Sequence, residues 1–425
     1  MKSTTEWKKE LQGDGYNQRL ADIYIDERQI SYQKDRYTKA IERFEAQYGE
    51  GPVVIYSAPG RSEVGGNHTD HQHGEILAAS INLDAIAVTR PLAQDVVRVV
   101  SDGYDEIVID IKQLGLIEEE KETTAALVKG VLAGVKKRGY QIGGFESYIT
   151  SDVLIGAGLS SSAAFETVIG TILSCLYNDG CISSTEIAMI GQYAENVYFG
   201  KPCGLMDQMA CATGSLVHVD FLNPEEPKVE RIAFDLNQYG YSLCITDTKG
   251  SHADLTADYA AVPEEMKRVA AFFGKDVLRT VSEEDIIKNL PKLRIETGDR
   301  SVLRALHFIN ENKRVGQEVE ALKREDISTF LKLVEASGNS SFKYLQNVYS
   351  NSDVQQQNVS LALQLSEMTL KDDGVCRVHG GGFAGTIQAF VKNEAVATYC
   401  DVMNRIFGDG ACSILKIRKY GGIEV

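Results

Sequence analysis

The sequence predicts an α+β protein, in which strands and helices mix along the chain without strict alternation. Short apolar segments typical of buried strands lie far apart, at 53–56, 243–246 and 386–391. Between the last two, residues 258–350 are highly charged and predicted to be mostly helical. At 425 residues the chain is long enough for two or three domains, each with its own core.

The composition is that of an ordinary globular protein, with 43% hydrophobic and 24% charged residues. A net charge of −16 argues against nucleic acid or an anionic membrane as a partner. One phosphorylated ligand remains compatible with this charge, because local backbone dipoles bind phosphate even in acidic proteins. No uncharged apolar run is long enough to span a bilayer, and the polar residues 1–9 contain no secretory signal. We therefore expect a cytoplasmic protein.

The eight cysteines form no C-x-x-C pair, and most of them lie within apolar segments. In a chain of this length we expect reduced core residues rather than a disulfide framework or a zinc site. This expectation agrees with a cytoplasmic location, where thiols stay reduced.

The first elements follow from local patterns. Residues 1–50 are polar and predicted to be helical, and their apolar residues at helical spacing are Tyr37, Ala40, Ile41, Phe44 and Tyr48. A short strand is predicted at 53–56, ending in Ser57-Ala58-Pro59-Gly60, and a strand pair is predicted at 76–90. A helix is predicted from about Thr124 to Arg138.

Two further helices are predicted before a domain boundary. The small, apolar segment 161–176 directly follows a glycine-rich turn, and the segment 183–199 opens with a capping box, Ser183-x-x-Glu186. The turn-rich residues 221–227 hold two of the eight prolines, so we place a boundary near them. The predicted division is an N-terminal helical extension at 1–50, an N-terminal domain at 51–222 and a C-terminal domain at 223–425.

The strongest local signal is the turn Ile155-Gly156-Ala157-Gly158-Leu159-Ser160-Ser161-Ser162-Ala163, which opens a helix. Glycines allow the backbone to approach a ligand closely, and a helix start leaves N–H donors unpaired, so the segment suits phosphate. The serine hydroxyls could hold phosphate oxygens or magnesium, which Glu166 could also reach. A flexible turn capped by serine is the alternative interpretation.

A second polar cluster runs from Arg61 to Gly66-Asn67-His68-Thr69-Asp70-His71. Asp70 could accept paired hydrogen bonds from sugar hydroxyls, and Arg61 could offset phosphate charge. His68, His71 and His73 could instead bind a metal, but their spacing fits no common zinc motif. Solvated loop histidines are the alternative interpretation.

Two shorter segments complete the set. Asp207 lies within Cys203-Gly204-Leu205-Met206-Asp207-Gln208-Met209, where it is either a helix cap or a catalytic carboxylate. The segment 379–385 is a second glycine-rich turn before a strand, and its alternative interpretation is a tight hairpin.

In this order and spacing, these segments resemble the signatures of the GHMP small-molecule kinases, and specifically of galactokinases, from about residue 50 to the C-terminus. The family motifs Pro-Gly-Arg…Gly-Glu-His-Thr-Asp-Tyr, Gly-Gly-Gly-Leu-Ser-Ser-Ser-Ala, Cys-Gly-Ile-Met-Asp-Gln and Gly-Gly-Gly-Phe-Gly-Gly correspond to 59–71, 156–163, 203–208 and 380–385. Residues 305–312 also look like the family's Arg-Ala-x-His-Val-x-x-Glu helix. Four motifs in series are far more specific than any one of them.

The resemblance implies a ribosomal protein S5 domain 2-like N-terminal domain joined to a ferredoxin-like C-terminal domain, with the active site in the cleft. It also implies transfer of the ATP γ-phosphoryl group to the anomeric C1 hydroxyl of a hexose such as galactose, with Mg²⁺ as the cofactor of ATP. The partners would be the two small molecules, sugar and ATP, and we expect a monomer.

Carried over by position, the resemblance makes Asp207 the catalytic carboxylate that accepts or orients the C1 hydroxyl proton, and Arg61 its charged neighbour. The residues implied to bind the sugar are Asn67, His68, Asp70, Gly204 and Tyr259. Those implied to hold the ATP phosphates are Gly156, Ala157, Gly158, Leu159, Ser160, Ser161 and Ser162. Those implied to bind magnesium are Ser162 and Glu166.

Some positions depart from the family pattern. Asn67 replaces a glutamate, and its neutral side chain would tolerate a C6 carboxylate, so galacturonate is a rival substrate. His71 replaces a tyrosine and could add positive charge near an acidic sugar. Thr124 and Leu127 replace two aromatics near the expected adenine, which leaves the nucleotide preference open. A non-catalytic sugar sensor on the same scaffold is the second alternative.

Overall fold

The computed structural model describes residues 1–154, 158–250, 255–351, 354–383 and 385–425. Within these ranges two β-sheets organise the molecule, one of nine strands and one of four. Helices pack on both faces of the first sheet, forming two separate hydrophobic cores. The mixture of sheets and helices without strict alternation confirms the predicted α+β class.

The strands in the described ranges are β1 (Lys2–Ser3), β2 (Pro52–Gly65), β3 (Glu75–Leu92), β4 (Val96–Ser101), β5 (Ile107–Asp110), β6 (Gly144–Ser151), β7 (Leu216–Asp220), β8 (Lys228–Ile232), β9 (Tyr241–Asp247), β10 (Gly374–His379), β11 (Thr386–Lys392), β12 (Cys412–Leu415) and β13 (Ile423–Glu424). The helices are α1 (Thr4–Gln12), α2 (Asn17–Tyr24), α3 (Ile30–Tyr48), α4 (Thr124–Lys137), α5 (Ser161–Tyr177), α6 (Ser184–Tyr193), α7 (Met206–Thr213), α8 (Thr256–Phe272), α9 (Glu283–Thr297), α10 (Asp299–Lys323), α11 (Ile327–Ser340), α12 (Asn358–Leu370) and α13 (Val396–Phe407).

The N-terminal helices α1 to α3 pack on one face of the first sheet, which confirms the predicted helical character of this segment. Successive side chains of β2 point to opposite faces of the sheet. Val53 and Ile55 pack in the core beneath these helices, and Val54 and Tyr56 pack in the core on the opposite face. The N-terminus is tied to the sheet by β1, which pairs with the start of β2.

The predicted end of the first strand at 57–60 is wrong. β2 continues to Gly65. Its pairing with β3 shifts register between Pro59 and Arg61, so the Pro-Gly pair forms a local irregularity and does not end the strand. The strand pair predicted at 76–90 is likewise one strand, β3, which is buried over most of its length. Arg61 therefore stands within the central sheet rather than on a loop.

The helices α4 to α7 contribute to the core on the other face of the first sheet. The predicted helix from Thr124 is confirmed as α4, and the helix after the glycine-rich turn is confirmed as α5. The capping box of Ser183 and Glu186 is present at the start of α6. The predicted continuation to residue 199 consists of π-helical turns at Ala194–Phe199.

The second sheet has the strand order β10-β11-β9-β12, with α12 and α13 packed against it. The helical region predicted between β9 and β11 is confirmed as α8 to α11. The antiparallel strands β10 and β11 flank the second glycine-rich turn, so this turn is the loop of a hairpin. No helix in the described ranges has both the length and the apolar character that a membrane crossing needs.

The first sheet also takes strands from the later part of the sequence. β8, at 228–232, pairs with β7, and β13, at 423–424, pairs with β2. The second sheet begins along the chain with β9, at residue 241. The division into domains at 50 and 222 remains a prediction, although the pairing of β8 carries the first sheet past residue 222.

Candidate active site

A carboxylate–guanidinium pair lies where three chain segments meet. Asp207 is in the first turn of α7, and Arg61, on β2, is 5% exposed. The Arg61 Nε donates to Asp207 Oδ1 at 2.8 Å, and Nη2 lies 2.7 Å from the same oxygen. The hydroxyl of Ser160, in the turn before α5, donates to the other carboxylate oxygen. The structure therefore brings together Asp207, Arg61 and one residue of the predicted phosphate turn.

Arg61 also fixes the position of the glycine-rich turn. Its Nη1 donates to the Gly158 carbonyl, and its backbone N–H donates to the Leu159 carbonyl at 3.1 Å. A side chain at Gly158 would be strained, because its φ is +66°. The turn is thus held against β2 by the same side chain that binds Asp207.

The start of α5 has the features of an anion site. Ser160 has a left-handed backbone conformation and precedes Ser161, the first residue of a 17-residue helix. The N–H groups of the first helical turn have no helical acceptors, so they remain available to phosphate oxygens. The predicted phosphate-binding residues Gly156 and Ala157 lie outside the described residues.

Asp70 lies beside Gly204, at the mouth of a separate cavity. Asp70 begins a short 3₁₀ turn between β2 and β3, and Gly204 precedes α7. A Cβ at Gly204 would lie 1.7 Å from Asp70 Oδ2, so the carboxylate packs directly on the glycine backbone. Both residues line a 400 Å³ cavity together with His71, Cys203 and Leu205. This cavity has the size expected for a small polar ligand.

The pKa of Asp70 reflects its surroundings. Burial raises this pKa, the nearby charge of Asp207 raises it further, and the backbone N–H of His71, which donates at 2.9 Å, opposes the change. The result is a pKa of about 6. Asp70 is therefore ionised at pH 7 and becomes a carboxylic acid in mildly acidic solution.

The loop histidines are neutral near pH 7. Burial lowers the pKa of His68 to about 4 and holds the pKa of His71 well below its usual range. Their rings lie 5.5 Å apart, so a positive charge on one would further disfavour a charge on the other. The low pKa of His71 disfavours the positive charge that this residue could have added near an acidic sugar. His68, His71 and His73 are not among the described side chains that converge as metal ligands.

Asn67 is 1% exposed and anchors the loop instead of lining the cavity beside Asp70. Its Nδ2 donates to Glu63 Oε1 at 2.9 Å and to the Gly380 carbonyl at 2.8 Å. Its Oδ1 accepts hydrogen bonds from Ser341 at 3.1 Å and from Asn347 at 2.9 Å. The amide thus joins the loop between β2 and β3 to the turn of the second sheet, and its hydrogen-bonding groups are already engaged.

Tyr259 and His68 contact the same turn of the second sheet. The Tyr259 hydroxyl donates to the Gly382 carbonyl at 2.7 Å, and its ring packs edge-on against Phe383. His68 Nε2 lies 3.1 Å from the Gly381 carbonyl, which can only accept, so this nitrogen carries the proton. The turn between β10 and β11 is therefore bound to the loop that carries Asp70.

Two residues of α10 bind the backbone of that loop, although only their helix motif was recognisable in the sequence. Glu311 accepts the backbone N–H groups of Gly66 and Asn67, at 3.2 and 3.4 Å. His307, one helical turn earlier, lies 3.0 Å from the Asn67 carbonyl. Both side chains are fully buried. The motif was recognisable in the sequence, but the backbone groups it binds were not.

The predicted magnesium ligands lie in an acidic cluster with an additional member. The Ser162 hydroxyl donates to Glu195 at 3.3 Å, and Gln208 donates to Glu195 at 2.8 Å and to Glu166 at 3.2 Å. The other Glu166 oxygen is buried and has no hydrogen-bond partner in the part of the chain that the structure describes. Burial, followed by the charge of Glu195, raises the pKa of Glu166 well above its usual range. Glu195 lies in a helical stretch where no motif distinguished it.

A second cavity, of 310 Å³, opens beside the start of α5. Ser161 and Ser162 line it on one side, and Leu127, Phe165 and Tyr104 line it elsewhere. The Tyr104 side chain is 63% exposed and thus free to cover a planar ligand. Two aromatic residues are therefore present next to the predicted phosphate turn, although Thr124 and Leu127 are not aromatic.

Comparison with known proteins places this arrangement in a family. The family model for the GHMP kinases N terminal domain matches residues 126–215, and that for the galactokinase galactose-binding signature matches residues 42–91. The fold is similar to that of Lactococcus lactis galactokinase complexed with galactose, with a TM-score of 0.77 at 23% identity, covering 90% of this chain and 98% of that chain. Methanococcus jannaschii mevalonate kinase is similar at a TM-score of 0.61 and 15% identity, covering 86% of this chain and 99% of that chain. The fold is thus that of the GHMP kinases, as the sequence motifs implied.

Sequence similarity narrows the assignment. Galactokinase of Streptomyces coelicolor is 30% identical over 355 residues, which are 84% of this chain and 89% of that protein. Galactokinase of Glaesserella parasuis is 31% identical over 356 residues, which are 83% of this chain and 89% of that protein. The chain therefore belongs to the galactokinase family of GHMP kinases.

Proposed function

We propose that the protein is an ATP-dependent galactose 1-kinase, which transfers the γ-phosphoryl group of ATP to the C1 hydroxyl of galactose. The observation that carries this proposal is the position of the Asp207–Arg61 pair. Ser160, from the phosphate turn, binds one oxygen of Asp207, and the charge of Asp207 acts on Asp70 from the other side. A carboxylate between a phosphate site and a sugar site is what a sugar kinase requires.

In the proposed reaction, Asp207 accepts the proton of the C1 hydroxyl as the sugar oxygen bonds to the γ-phosphorus. The bond from that phosphorus to the bridging oxygen breaks, and ADP leaves with the electron pair. Arg61 holds Asp207 in position and places a positive charge beside the Gly158 carbonyl, close to the expected phosphates. Catalysis of this kind depends on positioning and electrostatics rather than on a covalent intermediate.

Galactose is favoured over galacturonate by the charges around the cavity. His68 and His71 are neutral, so they offer no counter-charge to a sugar carboxylate. Asp70 and Asp207 would repel an anionic sugar. Asn67, whose neutral side chain suggested galacturonate, is buried in a structural role. The carboxylate of Asp70 suits two vicinal hydroxyls of galactose, because each of its oxygens can accept a hydrogen bond.

ATP is proposed to place its phosphates at the start of α5 and its base in the cavity beside Tyr104 and Phe165. The acidic cluster fits magnesium, because Ser162, Glu166 and Glu195 offer hard oxygen donors and one Glu166 oxygen lacks a partner. When bound, magnesium neutralises phosphate charge. Arg61 holds the phosphate turn, and Asp70 is proposed to hold the sugar, so that the C1 hydroxyl faces the γ-phosphate.

The experiment that tests the proposal is a substrate panel with magnesium ATP. Galactose, galacturonate, N-acetylgalactosamine and glucose are compared by ADP release and by isolation of the sugar 1-phosphate. We expect the highest kcat/KM with galactose. A preference for galacturonate would overturn the charge argument, and sugar binding without turnover of any hexose would favour the non-catalytic sensor.

A further inference from the structure

Three cysteines that are distant in sequence converge on one face of the second sheet. Cys244 lies on β9, Cys412 on β12 and Cys400 on α13. One ligand atom from each lies within 4.8 Å of the others, and the Cys400 and Cys412 sulfurs are 3.4 Å apart. Cys244 and Cys412 are buried, whereas Cys400 is partly exposed. The cluster is separate from the sugar and nucleotide cavities, whose linings contain none of the three.

Strand pairing explains why these side chains meet. Cys244 and Thr246 are two residues apart on β9, so they project from the same face. Cys412 pairs directly with Thr246 in the antiparallel ladder between β12 and β9, so its side chain projects from that face as well. The helix α13 covers this face, and its Asn404 accepts the Cys412 N–H at 2.8 Å. Cys400 lies one turn before Asn404 and therefore faces the two sheet cysteines.

The separations suit a single ion bound by three sulfurs. An ion about 2.3 Å from each sulfur, as in zinc–thiolate sites, holds the sulfurs roughly 3.8–4.0 Å apart. The observed separations are close to this range, at 3.4 Å for one pair and no more than 4.8 Å for the others.

A second observation independently indicates a ligand at this position. Thr246 is fully buried, and among the described residues the one hydrogen-bonding neighbour of its hydroxyl is the Cys412 sulfur. It projects from the same face as Cys244 and is paired with Cys412. A thiol is a weak hydrogen-bond partner for a buried hydroxyl, and a bound ion or its water ligand would be a stronger one. The partial exposure of Cys400 provides a route of entry.

We propose that Cys244, Cys400 and Cys412 form a binding site for one thiophilic metal ion, Zn²⁺, with the fourth position filled by water or by the Thr246 hydroxyl. Thiolate ligands select such ions over Mg²⁺, so the site is chemically distinct from the acidic cluster at Ser162. The ion would fasten α13 to β9 and β12, and the thiols would release protons as it binds. The spacing of the cysteines gave no sign of this, because the three come from three separate elements.

The test is a titration of the reduced, metal-free full-length protein with Cd²⁺ as the spectroscopic probe, in excess Mg²⁺ to occupy oxygen sites. Thiolate-to-cadmium absorption reports sulfur ligation, and Zn²⁺ affinity follows from competition with a chromophoric chelator. Cys400→Ser removes one ligand at a partly exposed position. Cys376→Ser is the matched control, because Cys376 is also partly exposed and packs against the same core.

We expect one Cd²⁺ per chain in the wild type and in Cys376→Ser, and at least tenfold weaker binding in Cys400→Ser. X-ray absorption of the zinc-loaded wild type should show three sulfur ligands at about 2.3 Å, a readout that needs no variant. Equal binding by Cys400→Ser would overturn the proposal. Absence of thiolate absorption at one equivalent, or formation of a Cys400–Cys412 disulfide in place of metal uptake, would also overturn it.

Discussion

Asp207 Oδ1 lies 2.7 Å from Arg61 Nη2, and this contact joins residues 146 positions apart in the chain. Arg61 is rigidly placed within β2, whereas Asp207 stands in the first turn of a short helix. The arginine therefore determines where the carboxylate points. Because Arg61 also binds the Gly158 carbonyl, one side chain positions both the proposed base and the phosphate turn.

Arg61→Lys should lower kcat by roughly ten- to a hundredfold with little change in the KM for galactose. Lysine keeps the charge but cannot bind the Asp207 carboxylate and the Gly158 carbonyl at once, and a hydrogen bond to a charged group contributes about 1.5–3 kcal/mol. Steady-state kinetics with both substrates varied provide the measurement. An unchanged kcat would show that the planar guanidinium is not needed.

Gly204→Ala should raise the KM for galactose at least tenfold. The added methyl group would lie 1.7 Å from Asp70 Oδ2, so the carboxylate must leave its position. Gly115→Ala is the matched control, because a Cβ there meets no atom within 4 Å. The KM is measured for both variants, with melting temperatures to verify folding. Equal KM values for the two variants would contradict the proposed contact of Asp70 with sugar.

The activity should fall in mildly acidic solution. The pKa of Asp70 is raised to about 6, so the carboxylate that accepts sugar hydroxyl hydrogen bonds is lost as the pH falls through this value. We expect log kcat/KM for galactose to be level above pH 7 and to decrease by about one per pH unit well below pH 6.

Asp70→Asn provides the comparison for this profile, since asparagine does not titrate. The variant should have a lower kcat/KM at neutral pH and should lose the decrease around pH 6. A wild-type profile that stays level down to pH 5 would show that Asp70 does not titrate in this range or does not contribute to galactose binding.

Tyr104→Ala should raise the KM for ATP by roughly five- to a hundredfold while the KM for galactose stays the same. Stacking of a base on an aromatic ring contributes about 1–3 kcal/mol, and Tyr104 lines the cavity beside the start of α5. Tyr239→Ala serves as the control, because Tyr239 stacks on Phe234 and does not line that cavity. A normal KM for ATP in Tyr104→Ala would place the base elsewhere.

The sequence motifs indicated Asp207, Arg61 and Asp70 because each lies in a short segment whose residue types have a definite chemistry. Glu195 could not be found in this way, since it is one acidic residue in a stretch predicted only as the continuation of a helix and observed as π-helical turns. Its importance comes from α5 and α7, which bring Ser162 and Gln208 to it. Contacts of this kind depend on packing between helices, which local spacing does not encode.

Asn67 is a different case. The sequence identified the residue as part of a motif, but it did not reveal the contacts that surround its side chain. The change from glutamate to asparagine was visible in the sequence and suggested an altered sugar. The structure shows the amide buried, with four hydrogen bonds that include Glu63 and Asn347. The turn of the second sheet and α10 both contact Asn67, and their approach to its loop could not be derived from the sequence.

The most direct test of the proposed chemistry is the turnover of Asp207→Asn with galactose and magnesium ATP. Asparagine keeps the size and a hydrogen-bond acceptor for Arg61 but cannot take the C1 hydroxyl proton. We predict that kcat falls at least about a hundredfold, while galactose and ATP still bind, as measured by calorimetry. Near-normal turnover by this variant would contradict the assignment of Asp207 as the base.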